Sequence, residues 1–239
     1  MRLAFALVLI AVLASIACGN VIARKYEYEE EVFLGLDGSA TVYVNASVPA
    51  LVALRGVNLP VDSRARLDRQ VVKDFYESPV SRVASVTASR RENRRYVHLR
   101  LTVADIRKLS ESKMFAWSQY GYRETEGVYV YTQKMGGVSS SDLARQAGWS
   151  GRELIAVRLH LPSKVTFHNS PSKTIERGNI VVWEQPLTER QKGTPLEVEA
   201  RMETQSILVR TLALFGAMAV LVVITFIAVI WFVRSRKAA

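Results

Sequence analysis

Cysteine is all but missing from this chain. Cys18 is the single one in 239 residues, so the stretch after it has no internal disulfide, no thiol nucleophile and no thiolate metal site. Histidine is nearly as scarce: His98, His160 and His168 are the three. Neither HExxH nor HxH occurs, which removes the recognisable zinc-ligand spacings. GxSxG, GxGxxG and GxxxxGK[ST] are also absent, and with them the linear marks of a nucleophile elbow, a dinucleotide site and a phosphate loop. The sequence therefore points to no cofactor, no metal and no catalytic signature. It has no repeat of solenoid length and no long low-complexity linker.

Long apolar runs stand at both ends. Residues 211–233 are apolar or small, without charge or proline, with Gly216 as their one glycine. A helix rises about 1.5 Å per residue, so roughly 20 such residues cross a bilayer core. Arg234, Arg236 and Lys237 follow at once, and Trp231 sits where an interfacial aromatic belongs. That arrangement reads as a transmembrane helix over 210–233 with a short basic tail, 234–239, held in the cytoplasm. At the other end, Arg2 and the apolar residues 3–16 have the form of a signal peptide over 1–17. Ser15 and Ala17 suit signal peptidase; the same stretch also reads as a lipoprotein signal that would lipidate Cys18. An uncleaved signal anchor is the third route. The expected location is the cytoplasmic (inner) membrane, single-pass, with residues 18–209 outside.

This exported part is long enough for one domain with a real core. The formal charge of the whole chain is +10. Arg2, Arg210, Arg234, Arg236 and Lys237 lie outside the exported part and carry half of it. Beside a membrane, anionic headgroups are then better matched neighbours than nucleic acid.

The patterning is mostly of period two. Tyr26, Tyr28, Glu30, Val32 and Leu34 alternate with Glu27, Glu29, Glu31 and Phe33; Val42, Val44, Ala46 and Val48 alternate with Thr41, Tyr43, Asn45 and Ser47. Asp37-Gly38 between them predicts a hairpin. Further hairpins are expected to join 82–89 to 95–103 through Glu92-Asn93, and 116–122 to 128–133 through Thr125-Glu126-Gly127. Later strands are expected at 154–161, 164–168, 180–184 and 196–202. Helices are expected over 63–77, with Leu67, Val71 and Phe75 on one face and Asp62 or Ser63 as cap, over 104–110, and over 140–146. The fold class is α+β: an antiparallel, β-rich exported domain with a few helices on one face, followed by the transmembrane helix.

Side-chain clusters suggest contacts rather than chemistry. All three histidines read as structural, and Glu27, Glu29, Glu30 and Glu31 as a solvated strand face. Arg90, Arg91, Arg94 and Arg95 crowd the tip of the second hairpin, where guanidiniums can hold phosphate headgroups or an acidic partner, or simply solvate the turn. Phe115, Trp117, Tyr120 and Tyr122 oppose Tyr129 and Tyr131 across the third hairpin. They form either a core or the lining of a cleft for a lipid or sugar. Ala213, Gly216 and Ala217 offer a weak small-residue face for homodimerisation through the span.

Gly178-Asn179-Ile180-Val181-Val182-Trp183 and Leu196-Glu197-Val198-Glu199-Ala200-Arg201, with a signal ending in cysteine and a single C-terminal span, resemble the LppM-like lipoproteins of mycobacteria. The resemblance implies an α/β exported domain with a lipid or glycolipid ligand. Ser15 departs from the usual lipoprotein pattern, and no functional residue carries over. The expected function is a non-enzymatic, membrane-anchored envelope protein binding a lipid-like ligand or an envelope protein partner. The alternatives are a tethered hydrolase relying on His160, His168 and nearby acids, or a structural subunit with a broad exposed apolar patch.

Overall fold

The computed structural model describes residues 26–91, 93–136, 149 and 153–237. The signal region, Cys18 and the helix expected over 140–146 lie outside these. The described chain is α+β, with two sheets and short helices before one long apolar helix.

Ten strands follow in chain order: β1 (Tyr26–Leu34), β2 (Ala40–Ser47), β3 (Ser81–Arg91), β4 (Arg94–Val103), β5 (Ser118–Thr125), β6 (Val128–Met135), β7 (Leu154–His160), β8 (Ser163–His168), β9 (Ile180–Pro186) and β10 (Leu196–Ser206). The larger sheet has the order β3-β4-β2-β1-β7-β9 and the smaller β5-β6-β10-β8. All three expected hairpins form. Gly38 turns the first at φ 84°, Asn93 the second at φ 59°, and Glu126-Gly127 the third at φ 50° and 76°. Two successive left-handed residues match the twist of the flanking strands in a two-residue loop. One neighbour pair departs from the expected antiparallel pattern: β1 and β7 run parallel, with Val32 beside Leu159. Strands so far apart in sequence can meet in either direction, because no tight turn dictates it.

Four helices complete the described chain: α1 (Val48–Arg55), α2 (Arg69–Tyr76), α3 (Leu187–Gln191) and α4 (Ile207–Lys237), with a 3-10 turn at Ile106–Glu111. Two expectations need correction. Val48 does not continue β2. Ser47 Oγ accepts the Ala50 N–H, Pro49 stands in the first turn, and Gly56 closes the helix at φ 65°, a complete set of helix start and stop devices. The helix expected over 63–77 begins only after Asp68, whose side chain accepts the Gln70 N–H. Asp62 instead accepts the Arg64 N–H in the preceding turn. The buried stripe is Val72 and Tyr76, while Val71 is exposed.

The core lies between the inner face of the large sheet and the small sheet. Tyr28, Val32, Val42, Val44, Leu99 and Leu101 contribute from one side, and Tyr131, Met135, Val198 and Met202 from the other. Arg55, at the end of α1, lies over the Trp117 ring, and Tyr76 of α2 packs edge-on to Phe115, so both helices meet the same interior. β10 passes into α4 without a spacer, and the Ile207 N–H donates to Pro162 O. Residues Ile207–Trp231 are long and apolar enough to cross a membrane, with mean hydropathy 2.9, and none of that stretch is buried.

Candidate functional site

The alternation along β1 puts Glu30 on the same face as Tyr28, Val32 and Leu34, and therefore inside. Its side chain is wholly buried. A buried carboxylate is costly unless donors surround it. Three do: Tyr28 Oη at 2.7 Å, Tyr120 Oη at 2.9 Å and Gln133 Nε2 at 2.7 Å. Tyr131 Oη donates to Gln133 Oε1 at 2.9 Å and fixes that amide. The network thus joins β1 to β5 and β6 across the sheet interface. Burial raises the Glu30 carboxyl above its ordinary value, opposed by these hydrogen bonds and by Arg55. Burial likewise raises the hydroxyls of Tyr28, Tyr120 and Tyr131, with the Glu30 charge adding to it, so they remain donors.

Two guanidiniums border the cluster. The Cζ atoms of Arg55 and Arg190 lie 4.5 and 5.1 Å from the Trp117 ring centroid, within cation–π range. Trp117 also meets Tyr28 edge-on at 5.2 Å. Arg190 is fully buried and donates to the carbonyls of Met135 and Gly136. Burial pushes its pKa down to about 10, with Glu30 acting the other way. Several donors here have no partner among the described residues: Arg55 Nε, Arg190 Nε, Trp117 Nε1 and Tyr76 Oη. Buried donors without acceptors are uncommon in a finished core. They make this interior the candidate binding site.

The sequence-derived residues are distributed around it unevenly. Tyr120, Tyr122 and Tyr131 are buried core side chains, Tyr129 stacks on Tyr122 with centroids 5.3 Å apart, and Trp117 is partly buried. The rings thus face the core and not an open cleft. A cleft with a volume of about 370 Å³ does lie on the small sheet, lined by Gln119, Gly121, Thr132, Lys134 and Glu199. Of the expected cleft aromatics, only Tyr120 belongs to its lining.

The arginine tip is not four free cations. Arg94 is paired with Glu27, and Arg95, 7% exposed, donates to Pro60 O and to Ala65 O. Arg90 bonds Asn93 Oδ1 at 3.0 Å, and Arg91 lies 5.8 Å from the Tyr96 ring centroid. The reading of Glu27, Glu29, Glu30 and Glu31 as solvated also fails. Glu27 accepts from Ser47, Arg94 and Trp149; Glu29 from Asn45 and Arg158; Glu31 bonds His160 at 2.7 Å. A strand inside a six-stranded sheet has neighbours on both sides, so even its outer carboxylates find cross-strand partners.

His160 and His168 do not converge. His160 stacks on Phe33 in the large sheet, while His168, on the small sheet, meets Trp183 edge-on at 6.4 Å. Among the described residues no cluster of His, Cys, Asp or Glu has the arrangement of a metal site. Trp231 is exposed on α4, on which Arg234, Arg236 and Lys237 also lie.

No protein-family model matches the chain, and no curated protein matches it. Among solved structures it is similar to the folded domain of LppM from Mycobacterium tuberculosis, determined by NMR. That match has 14% identity and a TM-score of 0.41, covering 77% of this chain and 94% of that one. This is a distant likeness of fold, and no residue's role passes from one protein to the other.

Proposed function

We propose that this chain is a single-pass envelope protein of the cytoplasmic membrane whose domain is extracytoplasmic and binds a lipid-like ligand or a protein partner at the membrane surface. The observation that carries the reading is α4. Its largely apolar 25-residue stretch, Ile207–Trp231, is uncovered by the other described residues and continues β10 directly, and such a surface is costly in water. The basic residues that follow this stretch on α4, Arg234, Arg236 and Lys237, favour a cytoplasmic C-terminal end by the positive-inside tendency. The donors around Trp117 that lack a partner among the described residues support the ligand, since each gains an acceptor when one is supplied. Outside α4, the exposed large apolar side chains among the described residues are Phe33, Val61, Val71, Phe167 and Ile175. They come from several different elements, which supports a binding module over a scaffolded subunit.

Cysteine accessibility in intact cells tests the topology. In a Cys18→Ser background, Ser39→Cys should react with an impermeant thiol reagent and Ser235→Cys should not. The opposite pattern would sink the reading. Native mass spectrometry of the detergent-extracted chain tests the ligand, which should be retained as an added mass.

A further inference from the structure

We propose that Ser89, His98 and Asn45 form a nucleophilic serine relay on the outer face of the large sheet, able to accept an acyl group from an ester. This activity goes beyond the binding reading and does not depend on it. The three residues come from adjacent strands, β3, β4 and β2. In the ladder Asn45 lies opposite His98, and Ser89 lies opposite Tyr96, one diagonal step away.

The geometry is that of a base held between a nucleophile and an orienting group. Ser89 Oγ lies 2.8 Å from His98 Nε2, and His98 Nδ1 lies 2.9 Å from Asn45 Oδ1. Proton positions follow from the next contact along. Asn45 Nδ2 is 3.1 Å from a Glu29 carboxylate oxygen, and a carboxylate only accepts. The amide nitrogen must therefore face Glu29, which turns Oδ1 toward His98. That oxygen needs a donor, so His98 carries its proton on Nδ1 and presents a lone pair on Nε2 to the Ser89 hydroxyl. Arg158 holds Glu29 in turn at 3.4 Å. A chain of fixed partners thus selects the tautomer that a general base requires.

Two features suit this to chemistry. Burial, with the nearby Arg91 charge, lowers the His98 pKa below its ordinary value, leaving the imidazole neutral and able to take a proton. Ser89 is exposed on an edge strand, so an ester can reach it. Arg91 lies two residues beyond Ser89 on the same face of β3, opposite Arg94, and is the cation available to a developing oxyanion.

In the reaction, Ser89 Oγ bonds to the ester carbonyl carbon while its proton passes to His98 Nε2. The tetrahedral centre then breaks its bond to the leaving alkoxide, which takes that proton, and Ser89 is left acylated. Water repeats the sequence to release the acid. Ser89, His98 and Arg91 act on the reacting atoms; Asn45 is a positioning residue.

A fluorophosphonate probe reports a nucleophilic serine directly. Incubated with the full-length chain in detergent, it should give one adduct, mapped by peptide mass spectrometry to Ser89. Ser89→Ala should abolish the adduct while leaving the unfolding temperature unchanged. His98→Gln should slow labelling by roughly 100-fold or more, the usual share of a general base. Asn45→Leu should slow it as well, and Asn45→Asp, which restores an oxygen for the Nδ1 proton, should recover it. No adduct, an adduct on another serine, or labelling of Ser89 that is equally fast in His98→Gln would overturn the proposal. So would Asn45→Leu labelling as fast as the wild-type chain.

Discussion

Replacing Glu30 by alanine should damage this domain far more than replacing its neighbour Glu31. The two are adjacent in sequence and face opposite sides of the sheet. Glu30 accepts from Tyr28, Tyr120 and Gln133 in a buried interface. Removing it orphans these donors, each at about 1–3 kcal/mol. Tyr131 still donates to Gln133 Oε1, which leaves the Gln133 Nε2 donor orphaned with the two hydroxyls; the lower part of the summed range, about 3–5 kcal/mol, is the expected cost. For a domain of this size that lowers the unfolding temperature by roughly 6–20 °C. Glu31 pairs with His160 where both side chains are about a fifth exposed, 24% and 19%. A pair of that kind contributes about 0.2–1 kcal/mol. Thermal unfolding of the detergent-solubilised chain, followed by tryptophan fluorescence, separates the two outcomes. Equal effects for the two alanine variants would refute the buried network.

The same carboxyl gives a pH signature whose sign is fixed. Its native pKa lies above the ordinary value of 4.5, so the native state holds its proton after the unfolded state has lost it. Stability is therefore greatest below the ordinary value and falls as pH rises through the native one. Glu30→Gln has no proton to lose. Its stability relative to wild type should increase with pH over that window, by up to about 1.4 kcal/mol per unit. A constant difference from pH 4 to pH 8 would show that the burial cost is not being borne.

At the arginine tip, Arg95→Gln should cost about 1.5–3 kcal/mol, because it removes charged hydrogen bonds to the Pro60 and Ala65 carbonyls. Arg91→Gln should change stability by less than about 0.5 kcal/mol; chemical denaturation of both variants checks the contrast. In the third hairpin, Glu126 holds φ 50° ahead of Gly127, a conformation that Asn tolerates better. Glu126→Asn should therefore raise stability by about 0.5 kcal/mol or more, read as a higher unfolding midpoint.

The strands were legible in the sequence because period two is written into each of them. The turns at residues 37–38, 92–93 and 125–127 were legible because glycine or asparagine marks the left-handed positions. α1 was not, because its residues are apolar all round: Val48, Pro49, Ala50, Leu51, Ala53 and Leu54 are all buried. A helix without a polar side shows no 3.6-residue stripe, and Val48 happens to extend the alternation of β2. Ser47 followed by Pro49 was the available signal, a cap and a first-turn proline.

The candidate site shows the sharper limit. Glu30 shares the parity of Tyr28, Val32 and Leu34, whereas Glu27, Glu29 and Glu31 occupy the other. Counting parity separates Glu30 from the other three; counting charge merges them into one acidic run. Its partners were another matter. Tyr120 and Gln133 lie 90 and 103 residues further along the chain, and only the packing of one sheet on the other brings them to β1. Asn45 and His98, 53 residues apart, likewise meet only because β2 and β4 are neighbours. Hairpin signals fix neighbours that are close in sequence and say nothing of which hairpins then pair or stack. A function built on cross-strand and cross-sheet contacts is therefore hidden from linear motifs even where every strand is correctly read. In this chain the lack of a linear signature reflects how its polar residues are assembled, and it is no measure of whether they react.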